Sequence, residues 1–164
     1  MEHIAPEITK DIYPMPAFAT IAAADIDATV DWYTEGLGFL SLFVMPGPDG
    51  TPVVVHLRRW RYQDLLVKPG GAPASGASGP ELSMMAEADE LDALAERARA
   101  HGGGSVEGPY DTPWNTRDVK TVDPDGHALV FTARRAEGQH DEGFDREIRR
   151  LAGEQGLHGT DGRV

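Results

Sequence analysis

The sequence contains no cysteine among its 164 residues. Disulfide bonds, thiolate metal sites and cysteine nucleophiles are therefore excluded. Long apolar runs are also missing, since no stretch approaches the ~20 consecutive apolar residues of a membrane-spanning helix. Residues 1–7 lack the basic start and apolar core of a signal peptide. We therefore expect a soluble, cytoplasmic protein with no membrane partner.

Basic residues are scarce. The 15 Lys and Arg residues are outnumbered by 27 Asp and Glu residues, which gives a formal net charge of −12. Nucleic-acid binding requires a basic surface, so we expect no nucleic-acid partner. An acidic surface attracts cationic ligands, but charge spread along the whole chain also serves solubility alone. The sequence has no P-loop, no Gly-x-Ser-x-Gly elbow and no dinucleotide fingerprint.

The first half of the chain is patterned as a strand, a helix and three further strands. Residues 18–24 form the predicted first strand, and Asp25 is the predicted N-cap of the helix. The apolar helix face repeats at spacings of four, three and four residues: Ile26, Val30, Tyr33 and Leu37. The three following strands are predicted at residues 39–45, 53–60 and 63–67.

The strand predicted at residues 53–60 alternates in character. One face carries Val53, Val55 and Leu57, and the other carries Val54, His56, Arg58 and Trp60. A period of two predicts a half-buried strand whose second face is polar and aromatic.

The second half repeats this order after residues 69–80, whose Gly, Ala, Ser and Pro content is typical of a flexible linker. A strand is predicted at residues 81–88, and Asp89 is the predicted N-cap of a helix that ends at Gly102. Its apolar face consists of Leu91, Leu94, Ala95 and Ala98. Three strands follow at residues 105–110, 117–122 and 127–133. Internal repetition of this kind is stronger evidence for the fold than any single element.

The last hairpin turns at residues 123–126. Pro124 and Gly126 favour a tight turn, and turn chemistry also accounts for Asp123 and Asp125 better than a paired-carboxylate site does. His127 follows this turn and is predicted to be exposed.

The tail at residues 136–164 contains a short apolar helical stripe of Phe144, Ile148 and Leu151. Glu142–Arg146 and Asp145–Arg149 have the spacing of ion pairs on a helix. We expect a short helix on the body or on a second subunit, although a stripe of three residues also fits a frayed tail.

Two motifs carry a resemblance to a known family. Residues 25–39, Asp-Ile-Asp-Ala-Thr-Val-Asp-Trp-Tyr-Thr-Glu-Gly-Leu-Gly-Phe, resemble the first-helix signature of the vicinal oxygen chelate superfamily. Residues 122–131, Val-Asp-Pro-Asp-Gly-His-Ala-Leu-Val-Phe, resemble its last hairpin. That superfamily includes glyoxalase I, extradiol dioxygenases, fosfomycin-resistance enzymes and bleomycin-resistance proteins.

The resemblance implies an α+β fold of two tandem βαβββ modules that form a curved mixed sheet with a cleft. The predicted organisation is a leader at residues 1–17, modules at 18–71 and 80–135, a linker at 72–79 and a partly helical tail at 136–164. Superfamily members usually pair two modules around each cleft, so a homodimer is expected.

The resemblance also indicates where a metal ion would bind. Metalloenzymes of the superfamily take ligands from the first strand of each module and from the last strand, and the matching positions are Phe18, Ser83 and Val130. None of these is a standard ligand of a divalent metal ion, and Glu81 is the only nearby carboxylate. We therefore expect no metal ion and no cofactor.

Ten residues are candidates for binding a small molecule in the cleft. Aromatic rings offer stacking surfaces to flat ligands and cation–π contacts to cationic ones. His56 could serve as an acid or base, or could simply be a half-buried imidazole with satisfied neighbours. For each tryptophan, including Trp32, ordinary packing is the alternative. The candidates are Phe18, Thr20, Phe43, His56, Arg58, Trp60, Tyr62, Ser83, Met85 and Trp114.

The function expected from this pattern is metal-independent binding of a small molecule, as in bleomycin-resistance proteins, which sequester a planar cationic drug at a dimer interface. The sequence does not identify the ligand. An enzyme is the alternative, either with a metal held by displaced ligands such as His56 and Glu81, or without a metal through His56 and Arg58. A regulatory module is a third possibility, to which only the tail helix points.

Overall fold

The computed structural model describes residues 10–71 and 79–156. In the first module, β1 (Ala19–Ala23) leads into α1 (Ile26–Asp31), which continues through a π-helical turn at Trp32–Gly36. Three strands follow: β2 (Leu40–Pro46), β3 (Pro52–Arg58) and β4 (Asp64–Pro69). They form a four-stranded sheet in the order β1-β4-β3-β2, with β1 parallel to β4 and the other pairs antiparallel.

The second module has the same topology. Its elements are β5 (Leu82–Met85), α2 (Leu91–His101), β6 (Ser105–Asp111), β7 (Thr116–Val122) and β8 (Ala128–Arg134). The sheet order is β5-β8-β7-β6, with β5 parallel to β8. The α+β fold with two tandem βαβββ modules is therefore confirmed, as two separate four-stranded mixed sheets.

One hydrophobic core joins the two modules. Trp32 and Tyr33 are buried in it, together with Val55 and Leu57 from the predicted inner face of β3. The predicted apolar face of α2 lies in the same cluster, and all four of its residues are buried. The assignment of Trp32 to packing is confirmed. Because the core lies on one face of each sheet, the opposite faces, here called the outer faces, are available to ligands.

The N-cap residue was predicted correctly for α1 but not for α2. Asp25 caps α1 as predicted, since its carboxylate accepts a hydrogen bond from Ala28 N at 3.0 Å. The prediction of Asp89 as the second cap was wrong, because Asp89 lies in the preceding turn and Glu90 is the N-cap of α2. The Glu90 carboxylate instead reaches back to Glu87 N at 3.0 Å.

Strand β3 ends at Arg58, two residues before the predicted end at Trp60. A turn follows, closed by hydrogen bonds from Arg59 N to Gln63 O and from Gln63 N to Trp60 O. The buried Arg59 side chain fixes this turn to the second module, because it donates to Met85 O at 2.8 Å and pairs with Glu90. The alternation of faces that predicted Trp60 beside His56 therefore ends with the strand at Arg58.

The last hairpin of the second module is tied to the first. Asp125 accepts hydrogen bonds from Ala24 N at 3.0 Å and from Thr29 Oγ1 at 2.8 Å. His127 Nε2 lies 2.9 Å from Ala22 O. The prediction that His127 is exposed was wrong, since this contact between modules leaves it half-buried.

Asp123 organises the same turn. Its Oδ1 accepts from Asp125 N and His127 N, as expected of a turn aspartate. Its Oδ2 accepts from the Tyr33 hydroxyl at 3.0 Å. Burial raises the pKa of both the Asp123 carboxyl and the Tyr33 phenol. Turn chemistry is confirmed for Asp123, whereas the Asp125 carboxylate bonds the first module and not its own turn.

The tail forms α3 (Glu142–Glu154) against the second module. Glu142 and Arg146 form the predicted ion pair at 3.5 Å. Asp145 contacts Asn115 Nδ2 at 2.8 Å and His140 Nδ1 at 3.1 Å, in place of the predicted pair with Arg149. Residues 157–164 of the tail, 72–78 of the linker and 1–9 of the leader lie outside the described residues. Within the described ranges, no helix is long and apolar enough to span a membrane.

Candidate functional site

A cavity of about 470 Å³ lies on the outer face of the first sheet. We call it the first-sheet cavity. Half of its lining comes from β2 and β3, and the other half from residues 10–15, which cross the sheet without forming a helix or strand. Its lining residues are Lys10, Asp11, Ile12, Tyr13, Met15, Ser41, Leu42, Phe43, His56 and Arg58.

Strand register brings three of the predicted site residues into one row. Thr20 pairs with Leu66 across β1 and β4, Leu66 pairs with His56, and His56 pairs with Phe43. Directly paired residues of neighbouring strands share one face of the sheet. Thr20, His56 and Phe43 therefore lie across the same outer face, and the latter two line the first-sheet cavity.

A buried carboxylate stands behind the cavity. Asp64, only 2% exposed, begins β4 opposite Arg58. Its Oδ1 accepts a hydrogen bond from Arg58 Nε at 2.7 Å and lies 2.7 Å from His56 Nε2. Its Oδ2 accepts from the Tyr13 hydroxyl, also at 2.7 Å. A buried charge must be paired and hydrogen-bonded to be tolerated, and Asp64 meets this requirement with three partners.

These contacts set the charge states of the cluster. Burial raises the pKa of the Asp64 carboxyl, but hydrogen bonds from Tyr13, Arg58 and His56 outweigh burial, so the pKa lies below its usual value. Burial raises the pKa of the Tyr13 phenol, and the Asp64 carboxylate raises it further. At neutral pH the cluster therefore contains an anionic Asp64 and a neutral phenol.

The two nitrogens of His56 have different surroundings. Nε2 is 2.7 Å from the Asp64 carboxylate, which favours the proton on that nitrogen. Nδ1 has no hydrogen-bond partner among the described residues and is not a buried atom. The His56 side chain is 17% exposed. Nδ1 is therefore the ring nitrogen left to contact a ligand in the first-sheet cavity, and Asp64 holds the orientation of the ring.

A second cavity, of about 320 Å³, lies where the two modules meet. It contains four further predicted site residues: Phe18, Tyr62, Ser83 and Met85. Phe18, Tyr62 and Met85 are among the exposed large apolar side chains. Asp64 contributes to the lining of this cavity as well, so it lies between the two cavities.

The positions that would hold a metal ion do not fit one. Ser83 and Val130 are direct neighbours in the register of β5 and β8, and Phe18 shares the second cavity with Ser83. A phenyl ring, a lone hydroxyl and an isopropyl group do not form a donor set for a divalent ion. Within residues 10–71 and 79–156, no three His, Asp or Glu side chains are grouped so that they could hold a metal ion.

Trp60 and Trp114 are separate from the first-sheet cavity. Trp60 is buried at the module boundary, with the Arg59 guanidinium 4.2 Å from the centre of its ring. Trp114 is exposed on the loop between β6 and β7 and lines a surface groove beside α3.

Two residues of the site, Tyr13 and Asp64, were not predicted from the sequence. Tyr13 lies in the predicted leader at residues 1–17, and nothing in its sequence neighbours indicates that it contacts the sheet. Asp64 was included in a short predicted strand without a role. The available signal was the position of Asp64, which follows Arg58 across a short turn between two predicted strands. Paired strands place such residues opposite each other.

Sequence comparison places this fold in a family. Residues 16–131, well over half of the chain, match the model of the Glyoxalase/Bleomycin resistance protein/Dioxygenase superfamily. The chain belongs to this superfamily. Residues 10–15 and α3 lie outside the matched range. No protein in a curated set of sequences matches the chain.

Solved structures of superfamily type resemble the chain. TioX from Micromonospora sp. ML1 is 26% identical with a TM-score of 0.55, and the match covers 71% of this chain and 96% of TioX. The fosfomycin resistance protein FosX from Listeria monocytogenes, in complex with Mn(II) and sulfate, is 12% identical with a TM-score of 0.57, covering 77% and 97%. A glyoxalase/bleomycin resistance protein from Streptomyces sp. CB03234 is 24% identical with a TM-score of 0.51, covering 72% and 97%. The last two likenesses show the fold alone.

Proposed function

We propose that this superfamily member is a small-molecule-binding protein that works without a metal ion and binds its ligand in the first-sheet cavity. The observation that carries the proposal is a cavity of about 470 Å³ that combines apolar walls with a preorganised polar cluster. Ligand sites of proteins have volumes of roughly 300–1,000 Å³ and the same mixture of apolar walls and a few fixed polar groups.

Each wall of the cavity suits a different part of the ligand. Phe43 is half exposed and offers a ring face to a planar ligand. His56 Nδ1 accepts a hydrogen bond, and Arg58 adds a buried guanidinium. The other candidates extend this surface: Phe18, Tyr62, Ser83 and Met85 through the second cavity and Thr20 across the sheet, with Trp60 and Trp114 more distant.

Sequestration of a planar antibiotic is the form of binding that we propose. A cationic drug is favoured by the net charge of −12, whereas the cavity itself contains both Lys10 and Asp11. Stacking on Phe43 is therefore the main support for a planar ligand, and long-range attraction the main support for a cationic one.

Isothermal titration of the purified full-length protein with a panel of planar and cationic antibiotics tests the proposal. We expect saturable binding of at least one compound. Phe43→Ala should weaken that binding about 10-fold, because an aromatic contact is lost. Tyr110→Ala, which removes an exposed ring of the second sheet, should leave it unchanged. Absence of saturable binding across the panel would contradict the proposal.

A metal-free acid–base enzyme is the second candidate, and the His56–Asp64 pair favours it. Asp64 holds the imidazole as an orienting carboxylate does, and Nδ1 is free to take a proton from a bound substrate. In that case His56→Ala would abolish turnover but weaken ligand affinity only by the loss of one hydrogen bond. A stoichiometric metal ion that is present in the purified protein and lost in His56→Ala would instead support metal-dependent chemistry and contradict both metal-free candidates.

A further inference from the structure

The Tyr13 side chain, which comes from the segment at residues 10–15, contacts several groups of the first sheet and of the turn between β3 and β4. The Tyr13 ring lies under the Arg58 guanidinium, with Cζ 4.1 Å from the ring centre. Tyr62 meets the same ring edge-on, with centres 5.0 Å apart. The Tyr13 hydroxyl donates to Asp64 Oδ2 at 2.7 Å and accepts from Tyr62 N at 2.7 Å. Both hydrogen-bonding capacities of a phenol are therefore satisfied at this position.

The groups that hold this phenol belong to the sheet and its turn. Arg58 and Asp64 are opposite each other in the register of β3 and β4, and both are at most 2% exposed. Their own hydrogen bond, together with His56, keeps the carboxylate in place. The sheet thus contains a preformed receptor for an aromatic ring that carries a hydroxyl group.

Tyr13 reaches this receptor from a segment outside the regular elements of the fold. Residues 10–15 form neither a helix nor a strand, and the neighbouring Ile12 is fully exposed. Arg58 Nη1 also donates to Asp11 O at 2.9 Å. Tyr13 lines the first-sheet cavity directly, so a ligand in the cavity lies beside the same receptor.

We propose that the first-sheet cavity binds aromatic ligands with a free phenolic hydroxyl, which replaces the Tyr13 hydroxyl on Asp64 and Tyr62 N. This inference rests on the proposed function, because it specifies the chemistry of the ligand at the same site. A neutral phenol can donate to the carboxylate and accept from the amide. An aryl methyl ether lacks the donor, and an aryl carboxylate is repelled by Asp64. Tyr13 is thus an internal competitor that selects for phenols.

The test uses 4-methylphenol, the side chain of tyrosine as a free molecule, with the full-length chain. For Tyr13→Ala we expect a dissociation constant on the order of 1 mM, as is typical of a ligand of this size. Binding to the unsubstituted protein should be at least 10-fold weaker, because the tethered Tyr13 competes at a high effective concentration. In heteronuclear spectra, the Tyr62 amide signal should shift on binding.

Two controls isolate the hydroxyl and the position. To Tyr13→Ala, 4-methylanisole should bind at least 10-fold more weakly than 4-methylphenol. Tyr110→Ala removes an exposed tyrosine of β6 and should bind 4-methylphenol no better than the unsubstituted protein. If Tyr13→Ala does not fold, Tyr13→Phe provides the same comparison, since it removes only the competing hydroxyl and should still bind 4-methylphenol more tightly than the unsubstituted chain.

Equal affinity of the Tyr13 variant and the unsubstituted protein would overturn the inference, and so would equal affinity for the phenol and its methyl ether. These outcomes can be distinguished from failure of the proposed function. If the antibiotic panel binds and 4-methylphenol does not, the cavity is a ligand site without a phenol subsite. If neither binds, both proposals are wrong.

Discussion

Asp64 connects the stability of this protein to its candidate site. The carboxylate is buried at the start of β4, and three side chains from two different parts of the chain converge on it. Removing one partner of a buried ion pair leaves the other charge uncompensated, which costs more than the pair itself contributes. A single residue therefore orients His56, neutralises Arg58 and holds residues 10–15 on the sheet.

Asp64→Asn should lower the free energy of unfolding at pH 7 by about 3 kcal/mol, because it removes the buried carboxylate charge that faces Arg58 at 2.7 Å. The difference in unfolding free energy between Asp64→Asn and the unsubstituted protein should decrease as the pH falls. Since the folded pKa of Asp64 lies below its unfolded value, its contribution is complete above about pH 4 and is lost as the pH falls through the folded pKa. Urea denaturation at pH 7 and below pH 4 measures this. The exposed Asp89→Asn is the control, with an expected change below about 0.5 kcal/mol, and a pH-independent difference for Asp64→Asn would contradict the assignment.

At the scale of elements, the hairpin between β7 and β8 does more than reverse the chain. The Asp123 carboxylate bonds the turn backbone, as its sequence context indicates, and both aspartates also reach the first module. Asp125 satisfies the backbone amide that follows β1 and the buried hydroxyl of Thr29 in α1. Because such contacts link residues about 100 positions apart, turn propensity alone could not predict them.

Asp125→Ala should destabilise the protein by about 2 kcal/mol, because hydrogen bonds to a charged acceptor are lost and the Thr29 hydroxyl remains buried without a partner. The matched control is Asp49→Ala, which removes an exposed turn aspartate bonded only to nearby Thr51. We expect Asp49→Ala to lower the free energy of unfolding clearly less than Asp125→Ala does. Equal effects of the two substitutions on the urea midpoint would indicate that Asp125 acts only within its own turn.

At the scale of the whole molecule, the outer faces remain partly apolar. Phe43 and Met45 of the first sheet and Met85 of the second are large exposed side chains. A contiguous exposed apolar surface is typical of a contact with another molecule. The tail helix, by contrast, is bonded to its own second module through Asn115. We therefore propose that a homodimer forms through the outer faces and not through α3.

Light scattering should give a mass near twice the 17.7 kDa of the chain. Met85→Glu, which puts a charge on the outer face, should shift the protein towards the monomer. Ile148→Glu, a substitution of similar exposure on α3, should not change the mass. A chain ending at residue 135 should also remain dimeric. A monomeric mass for the unsubstituted protein would contradict this assembly.

The sequence by itself determined the architecture of this protein. Alternation in β3, the apolar face of α2 and the repeated order of elements depend on local periodicity, which neighbouring residues set. The same local information correctly placed Asp25 as a cap and His56 and Arg58 on one face of β3. It placed the second cap one residue too early, because Glu90 and not Asp89 begins α2.

Only the tertiary structure decided what completes the candidate site. Tyr13 joins Asp64 across 51 positions, and Asp125 joins Thr29 across 96. Neither pairing has a local signal, because each depends on where a separate segment returns to the sheet. The first-sheet cavity likewise exists because residues 10–15 cross strands β2 and β3. Periodicity identifies the face on which a side chain lies, whereas the partner that meets it there is fixed by packing between distant segments.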